Sequence, residues 1–383
     1  MTFATYINAL KQKRIVYAYK IELLGYYENV IGEITQKKID GQLNINYQQG
    51  IRRSVSLTIA DVDKEFLPSE NSGFWYKRKF KLYIGVKVDD DVMWFPQGVF
   101  VTKGANADSQ NRNLSIEGVD KWKEIEDFKL DVNYVIPSGT SITKLIKDTL
   151  ALHTGGAYML DCIEPIIDLR LKNQTTQSKI EISAGSSMSE LLIDIANGYG
   201  LEIFYDVHGT LNVCNAVETN RYSGYKMLGH QWEYDSLISP DMDYSLDAEN
   251  TVTVYTNASK TALVNVSYTA ENNNPKSPIS VAAIGTRRME SQEITYINVS
   301  AEEMTKKCEQ YAKMLLNKVA LQKCSISFQS PIIPHMDVDG TIGITDEYYG
   351  LDNETYVVQS LTMPLNAGLM TVQACNITFL AEE

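Results

Sequence analysis

An alternation of apolar and polar residues with a period of two recurs through most of this 383-residue chain. In residues 54–59, valine, leucine and isoleucine alternate with serine and threonine, and the pattern returns at 251–254, 264–269 and 325–328. Successive side chains of a β-strand point to opposite faces of its sheet, so this pattern predicts strands with one buried and one polar face. The sequence therefore predicts a mostly β protein.

Three segments instead space their apolar residues as helices do, at about 141–152, 187–197 and 300–319. The second and third open with a serine followed three residues later by glutamate, the capping-box pattern that marks helix starts. Residues 3–13 are predicted to form a short additional helix. The predicted fold class is α+β, mostly β, with a long helix in the C-terminal half.

These changes of period divide the chain into three predicted domains. Residues 1–130 form a first β-domain, and 131–235 form a small α+β domain that contains two of the helices. Residues 236–383 form a second β-domain, which includes a polar loop at 271–278 and the helix at 300–319.

The charge balance excludes several classes of protein. The chain has 35 lysines and arginines against 48 acids, a formal net charge of −13. This disfavours a nucleic-acid-binding protein, whose affinity depends on neutralising phosphates, but suits a surface that nucleic acid passes without adhering. No run of about 18 apolar residues and no signal peptide is visible, so a cytoplasmic protein without a membrane anchor is expected.

Motifs for cofactors and metals are missing from the sequence. The five cysteines include no CxxC and the four histidines lie far apart, so neither a disulfide framework nor a zinc site is predicted. There is no phosphate-binding glycine motif and no serine nucleophile elbow. We therefore expect no cofactor and no metal.

Closely spaced acids keep one enzymatic alternative open. Acids two residues apart on a strand share a face, and glycan cleavage needs two carboxylates. With 48 acids such pairs also arise by chance, and the missing signal peptide argues against an envelope glycan-binding or glycan-cleaving protein. A cytoplasmic enzyme with scattered catalytic residues is a third possibility. The candidate acids are Asp61 and Asp63, Asp89 to Asp91, Asp241 and Asp243, and Asp337 and Asp339.

A basic run at 77–81 lies among aromatic residues, the mixture on which nucleic-acid bases stack beside cations. A strand whose lysines alternate outward explains the same run, and the acidity of the chain favours that reading. Aromatic candidates for protein contacts are Trp75, Trp94 and Phe95, although a core position also fits each of them. The acids Asp89, Asp90 and Asp91 separate two strand-like runs and are predicted to form an exposed hairpin tip, a further candidate contact.

The order of these segments resembles that of the baseplate hub, or tail-tip hub, proteins of tailed bacteriophages. The resemblance covers nearly the whole chain, but it lies in the order of segments and includes no catalytic motif. The segments that carry it are the strands at 51–59, 82–85 and 94–101, the closing segment at 115–122, the helix at 187–197 with the strands at 200–211, and the helix at 303–318 with the strands that follow it.

The resemblance implies two tube-type β-barrel domains with the small domain inserted between them, so that a homotrimer makes a pseudo-sixfold ring. It implies a non-enzymatic protein of the virion, assembled in the bacterial cytoplasm, that joins a hexameric tail tube to a threefold tip and lets DNA pass unbound. The implied partners are a tail tube or distal tail protein, a tip or spike protein and a tape measure protein. Because the chain ends just after its last strand, no hydrolase or fibre domain is expected beyond it.

Overall fold

The structure is a computed structural model. It describes residues 2–12, 14–35, 38–60, 63, 66–70, 72, 74–75, 78–153, 159–176, 179–215, 230–232, 236–245, 247–257, 265–294, 300–321, 323–366 and 368–381. Strands predominate over helices in these residues, which confirms the predicted α+β, mostly β class.

The elements follow in chain order. The helices are α1 (Phe3–Leu10), α2 (Trp122–Asp127), α3 (Ile142–Leu150), α4 (Ser189–Gly198), α5 (Val281–Ile284) and α6 (Ala301–Leu321). The strands are β1 (Tyr17–Leu24), β2 (Val30–Ile34), β3 (Ile39–Asn46), β4 (Arg53–Ile59), β5 (Lys79–Val88), β6 (Asp91–Asp108), β7 (Asn113–Asp120), β8 (Tyr134–Ile136), β9 (Ile166–Ile167), β10 (Ile180–Ile182), β11 (Leu201–Tyr205), β12 (Leu211–Asn215), β13 (His230–Trp232), β14 (Ile238–Tyr244), β15 (Thr251–Tyr255), β16 (Ser267–Glu271), β17 (Gln292–Glu293), β18 (Cys324–Pro331), β19 (Thr341–Asp346), β20 (Leu351–Pro364) and β21 (Leu369–Asn376).

Eight antiparallel strands from both ends of the chain form one continuous sheet, in the order β14–β18–β21–β20–β3–β4–β7–β6. We call it the eight-stranded sheet. Its two halves meet where β20 pairs with β3, with Thr362 opposite Asn44 and Met363 opposite Leu43. The main hydrophobic core lies on one face of this sheet and contains residues from both ends of the chain.

The strands β6 and β20 each belong to two layers. The first half of β6 pairs with β5, which continues into β1 and β2, whereas its second half pairs with β7 in the eight-stranded sheet. Likewise, the first half of β20 pairs with β19, and its second half pairs with β3. The outer strands thereby cover the core from the other side.

Over the described residues, four smaller hydrophobic clusters accompany this core, and two of them concern the helices α3, α4 and α6. One contains Trp122 and the buried side chains of α3, α4, β11 and β12, between the two halves of the eight-stranded sheet in chain order. The other lies where α6 packs on β15 and β16.

The helix starts partly follow the predicted caps. The Ser300 hydroxyl accepts a hydrogen bond from the Glu303 amide at 3.3 Å, which confirms the start of α6. The capping box predicted for Ser187 and Glu190 is displaced, because α4 begins at Ser189 and its N-cap residue is Met188. The Ser187 hydroxyl still accepts a hydrogen bond from the Ser189 amide at 3.0 Å, and it donates to the Ile125 carbonyl oxygen at 2.7 Å. Over the described residues, no helix has the length and apolar character needed to span a membrane.

A buried lysine on α6 makes folding pH-dependent. Lys307 is 4% exposed, and its Nζ lies 3.2 Å from the ring centroid of Tyr199, just after α4. Burial lowers the pKa of Lys307 to about 7. The unfolded chain therefore holds a proton that the folded chain lacks between about pH 7 and 10.5, and stability rises with pH across that window.

We accordingly expect Lys307→Met to raise the melting temperature, with a larger gain at pH 6 than at pH 10. Thermal melts at the two pH values measure the effect. Lys306→Met is the matched control, because that lysine is exposed on the same helix and forms an i,i+4 ion pair with Glu302. An equal change for both variants at both pH values would contradict the prediction.

Candidate functional site: a polar sheet face with two open edges

The face of the eight-stranded sheet that points away from the core is polar. Registers and alternating burial place its side chains on one surface, where Asn44 accepts hydrogen bonds from Gln42 Nε2 at 2.7 Å and from Thr362 Oγ1 at 3.2 Å. We call this surface the polar face. Its positions are Asp40, Gln42, Asn44, Asn46, Ser54, Ser56, Thr58, Asn106, Asp108, Ser115, Glu117, Asp241, Asp243, Ser325, Ser327, Gln329, Ser360, Thr362, Thr371 and Gln373.

The charges on the polar face are all negative at its named positions. These positions include five acids and no lysine or arginine, a larger share of acids than the 48 in the 383 residues of the whole chain. Serine, threonine, asparagine and glutamine side chains form hydrogen bonds with one another between neighbouring strands, as the hydroxyls of Thr58 and Ser115 do at 3.3 Å. This surface offers hydrogen-bonding groups but no array of cations that could hold phosphates.

Both outer edges of the eight-stranded sheet are open in the described part of the chain. At one edge β14 pairs only with β18, and at the other the segment 102–108 of β6 pairs only with β7. Core-side residues at these edges remain accessible: Tyr244 is 56% exposed, and Ala105 and Ala107 are exposed. Open strand edges of this kind are templates for pairing with another chain.

The two halves of the eight-stranded sheet have the same construction. One half is β3–β4–β7–β6 and the other is β14–β18–β21–β20. The long strand of each half has a bulge at the same place, after Thr102 in β6 and after Val358 in β20. Each half also ends on a side-chain cap, since Asp120 Oδ1 accepts from the Trp122 amide and Asn376 Oδ1 from the Thr378 amide.

A buried ionic junction joins the two halves to the cluster between them. Arg52 pairs with Glu202 at 2.8 Å with both side chains fully buried, and the Lys318 ammonium lies 2.6 Å from the same carboxylate. Arg53 pairs with Asp337 and donates to the Tyr205 carbonyl oxygen at 2.7 Å.

A carboxylate at the end of β7 fixes the backbone that carries both arginines. The Asp120 side chain accepts hydrogen bonds from the amides of Arg52 and Arg53 at 2.7 and 2.9 Å. Because it is buried, its pKa rises to about 6 despite these donors. The junction therefore lies in the interior of the fold.

The basic run does not form a nucleic-acid patch among its described residues. Lys79 is buried and its Nζ lies 3.3 Å from Glu28, so the expected outward alternation of these lysines is wrong at this position. Burial also lowers the pKa of Lys81, which is only half-exposed. Lys77 and Tyr76 lie outside the described residues.

Glu28 also belongs to a group of potential metal ligands. Its carboxylate, that of Asp161 and the Cys162 thiol lie close enough together to hold an ion. The Lys121 ammonium already contacts both carboxylates, at 2.6 Å from Glu28 and 2.7 Å from Asp161. This cation supplies the charge that the two acids require.

The predicted contact residues are dispersed. Phe95 is buried, with its ring centroid 4.5 Å from that of Tyr6, and so is not accessible on the single chain. Trp75 and Trp94 are half-buried. The hairpin tip forms as predicted between β5 and β6, with Asp89, Asp90 and Asp91 exposed.

The candidate carboxylate pairs differ in how accessible they are. Asp337 is buried and neutralised by Arg53, and Asp339 is buried in a turn at φ 70°. Asp241 and Asp243 are exposed on the open edge strand β14. Asp61 lies outside the described residues, which leaves its pairing with Asp63 untested.

Comparison of the chain with known proteins gives no matching family model. No curated protein matches it either.

Solved structures, in contrast, match almost the whole chain. A tail protein from Neisseria meningitidis aligns with a TM-score of 0.58 and 14% identity, over 95% of this chain and 98% of that one. The 43 kDa tail protein of prophage MuSo2 from Shewanella oneidensis gives 0.59 and 12%, over 95% and 100%. A chain of the Francisella PdpA–VgrG complex gives 0.51 and 11%, over 99% and 61%. At these identities the similarity establishes the fold, which is that of phage tail proteins.

Proposed function

We propose that this protein is the structural hub of a phage tail tip. Three copies form a pseudo-sixfold ring that joins a hexameric tail tube to a threefold tip or spike protein, and DNA leaves through its lumen. The duplicated half-sheet is the observation that carries this proposal. Two equivalent halves per chain give six per trimer, which is how a threefold object can match a sixfold tube.

The fold supports a place in the virion. Two of the matching structures are tail proteins whose whole length this chain covers, and a third belongs to a complex containing VgrG. Tail tube or distal tail protein, spike protein and tape measure protein are the partners that a hub in this position contacts. The predicted division into domains at about residues 130 and 235 is part of the proposal, with each half of the eight-stranded sheet belonging to one tube-type domain.

The polar face is the proposed lining of the lumen. A channel that passes DNA must not hold it, and a surface without lysine or arginine gives phosphates nothing to neutralise. The polar face also carries acids, which repel phosphates and so help to keep DNA from adhering. The hydroxyl and amide groups of the polar face keep the channel wall hydrated while the DNA passes.

A non-enzymatic role agrees with the arrangement of the acids. The Asp337 carboxylate is engaged with Arg53 in the ionic junction, where it joins two parts of the fold instead of facing a substrate. The glycan-cleaving alternative would have to use Asp241 and Asp243, the exposed pair on the edge strand β14, as acid and as base or nucleophile.

Light scattering combined with end-on electron micrographs tests the ring. We expect a mass of about 129 kDa, three times the 43.1 kDa of one chain, and a ring with a central hole. Addition of the tail tube protein of the same phage should produce a complex that contains three hub chains per tube ring. A stable dimer without a hole would contradict the proposed function.

A further inference from the structure

We propose that β14 of one chain pairs antiparallel with the segment 102–108 of β6 in a second copy, in the register that the β20–β3 pairing shows within the chain. This inference rests on the proposed ring, and it specifies which residues meet between its subunits. The partner is therefore another copy of this chain, bound by the addition of one strand edge to another.

The first step is the equivalence of β6 and β20. Beyond its bulge, β6 places Gly104 opposite Glu117, and β20 places Ser360 opposite Gln373. The next residues follow in parallel, so Asn106 corresponds to Thr362. In the same way, Ala105 corresponds to Leu361, Ala107 to Met363 and Asp108 to Pro364.

The second step is the equivalence of β14 and β3. Asp243 lies opposite Ser325 in β18, as Asn44 lies opposite Ser54 in β4, and the two serines occupy equivalent positions against β21 and β7. Asp243 therefore corresponds to Asn44. By the same register, Tyr244 corresponds to Ile45, Met242 to Leu43 and Asp241 to Gln42.

The junction within the chain then fixes the junction between chains. Within the chain, Thr362 lies opposite Asn44, and β20 and β3 pair around them. Replacing each residue by its equivalent places Asn106 opposite Asp243 of the second copy. The neighbouring pairs are Ala105 with Tyr244, Ala107 with Met242 and Asp108 with Asp241, the second residue of each pair belonging to the second copy.

The chemistry of the paired residues agrees with this register. The core-side residues Ala105 and Ala107 would cover Tyr244 and Met242, which leaves less apolar surface in water. On the polar face, Asn106 can donate a hydrogen bond to the Asp243 carboxylate. Thr362 makes the equivalent bond to Asn44 within the chain, at 3.2 Å.

The two kinds of junction differ in strength. Leu361, Met363, Leu43 and Ile45 are buried in the junction within the chain, whereas the junction between chains has two alanines in place of the first two. It also sets the carboxylates of Asp108 and Asp241 against each other, and like charges directly opposite weaken strand pairing. The ring therefore alternates three strong and three weaker junctions.

Disulfide trapping tests the register. In a Cys162→Ser background, which removes the exposed native thiol, we expect the pairs Ala107→Cys with Met242→Cys and Asn106→Cys with Asp243→Cys each to yield a covalent trimer on oxidation. The pair Asn106→Cys with Met242→Cys is the matched control. It is shifted by one residue, places the thiols on opposite faces and should remain uncrosslinked.

The outcomes separate the register from the ring. A trimer by mass in which only the shifted pair crosslinks would overturn the register and leave the proposed function standing. A chain that remains monomeric at high concentration would contradict both.

Removing the opposed carboxylate gives an independent readout of the same register. Asp241→Asn should tighten the trimer up to about fivefold, measured as its dissociation constant, whereas Asp131→Asn, at an exposed position between α2 and β8, should leave it unchanged. Identical dissociation constants for the two variants would overturn the register.

Discussion

Arg53→Met is expected to lower the free energy of unfolding by about 3–5 kcal/mol, because it leaves the buried Asp337 carboxylate without its cation. The substitution also removes the hydrogen bond to the Tyr205 carbonyl oxygen at 2.7 Å. Methionine retains much of the apolar length of the arginine. Lost packing therefore contributes less to the destabilisation than the unpaired charge of the buried Asp337 carboxylate. Urea unfolding followed by tryptophan fluorescence measures the change, and a loss below about 1 kcal/mol would contradict it.

The double variant Arg53→Met with Asp337→Leu separates the ion pair from the space that it occupies. Replacing both members of a buried pair by apolar residues is often neutral, so we expect the double variant to recover much of the loss. A double variant no more stable than Arg53→Met alone would show that Asp337 carries no unpaired charge in the single variant. Lys144→Met, at an exposed i,i+4 pair with Asp148, should change stability by less than about 0.5 kcal/mol.

Gly41→Ala should destabilise the chain by about 3 kcal/mol or more, since no side chain fits at this position of β3. The backbone has φ 138°, and an added Cβ would lie 2.0 Å from the Ser56 carbonyl oxygen. Relief requires separating β3 from β4 in the middle of the eight-stranded sheet, so the loss should appear in the melting temperature of the whole core.

Gly32→Ala in β2 provides the comparison for this variant. The nearest described atoms to an added Cβ there are two Leu23 side-chain atoms, at 3.5 and 3.9 Å, and a Phe66 atom at 3.9 Å, all at ordinary contact distances. The melting temperature should remain within a few degrees of the natural chain. If both glycine variants melt alike, the close approach at Ser56 does not control the stability of the sheet.

Local patterns in the sequence were sufficient for much of the fold. Serine and threonine alternating with aliphatic residues at 54–59 identified β4 and its polar face directly. The spacing of apolar residues located α3, α4 and α6 to within a few residues. Such patterns depend only on neighbours along the chain, which a sequence displays.

What the sequence could not supply are contacts between distant segments. The pairing of β20 with β3 joins residues more than 300 positions apart, and no local sequence pattern predicts such a pairing. Lys79 was expected to face solvent, but it is buried in the fold, where the Glu28 carboxylate supplies its counter-charge. The hydrogen bond from the Ser187 hydroxyl to the Ile125 carbonyl oxygen is another contact that no local pattern shows.

The sequence prediction missed the ionic junction, although one residue of β4 indicates it. Arg53 occupies a position that the alternation in β4 assigns to the buried face, where an arginine is unusual unless it is paired. A charged residue in phase with Val55 and Leu57 therefore indicates a buried partner. Its identity, Asp337, comes only from the folded chain.

The two-layer course of β6 and β20 has a mechanical consequence. Each strand runs through the outer layer and then through the wall around the proposed channel, so a pull applied outside travels to the channel along covalent backbone. Side-chain contacts that could slip are not part of this route. A tip that is tugged or twisted at the cell surface would thus transmit its load to the channel wall with little loss in between.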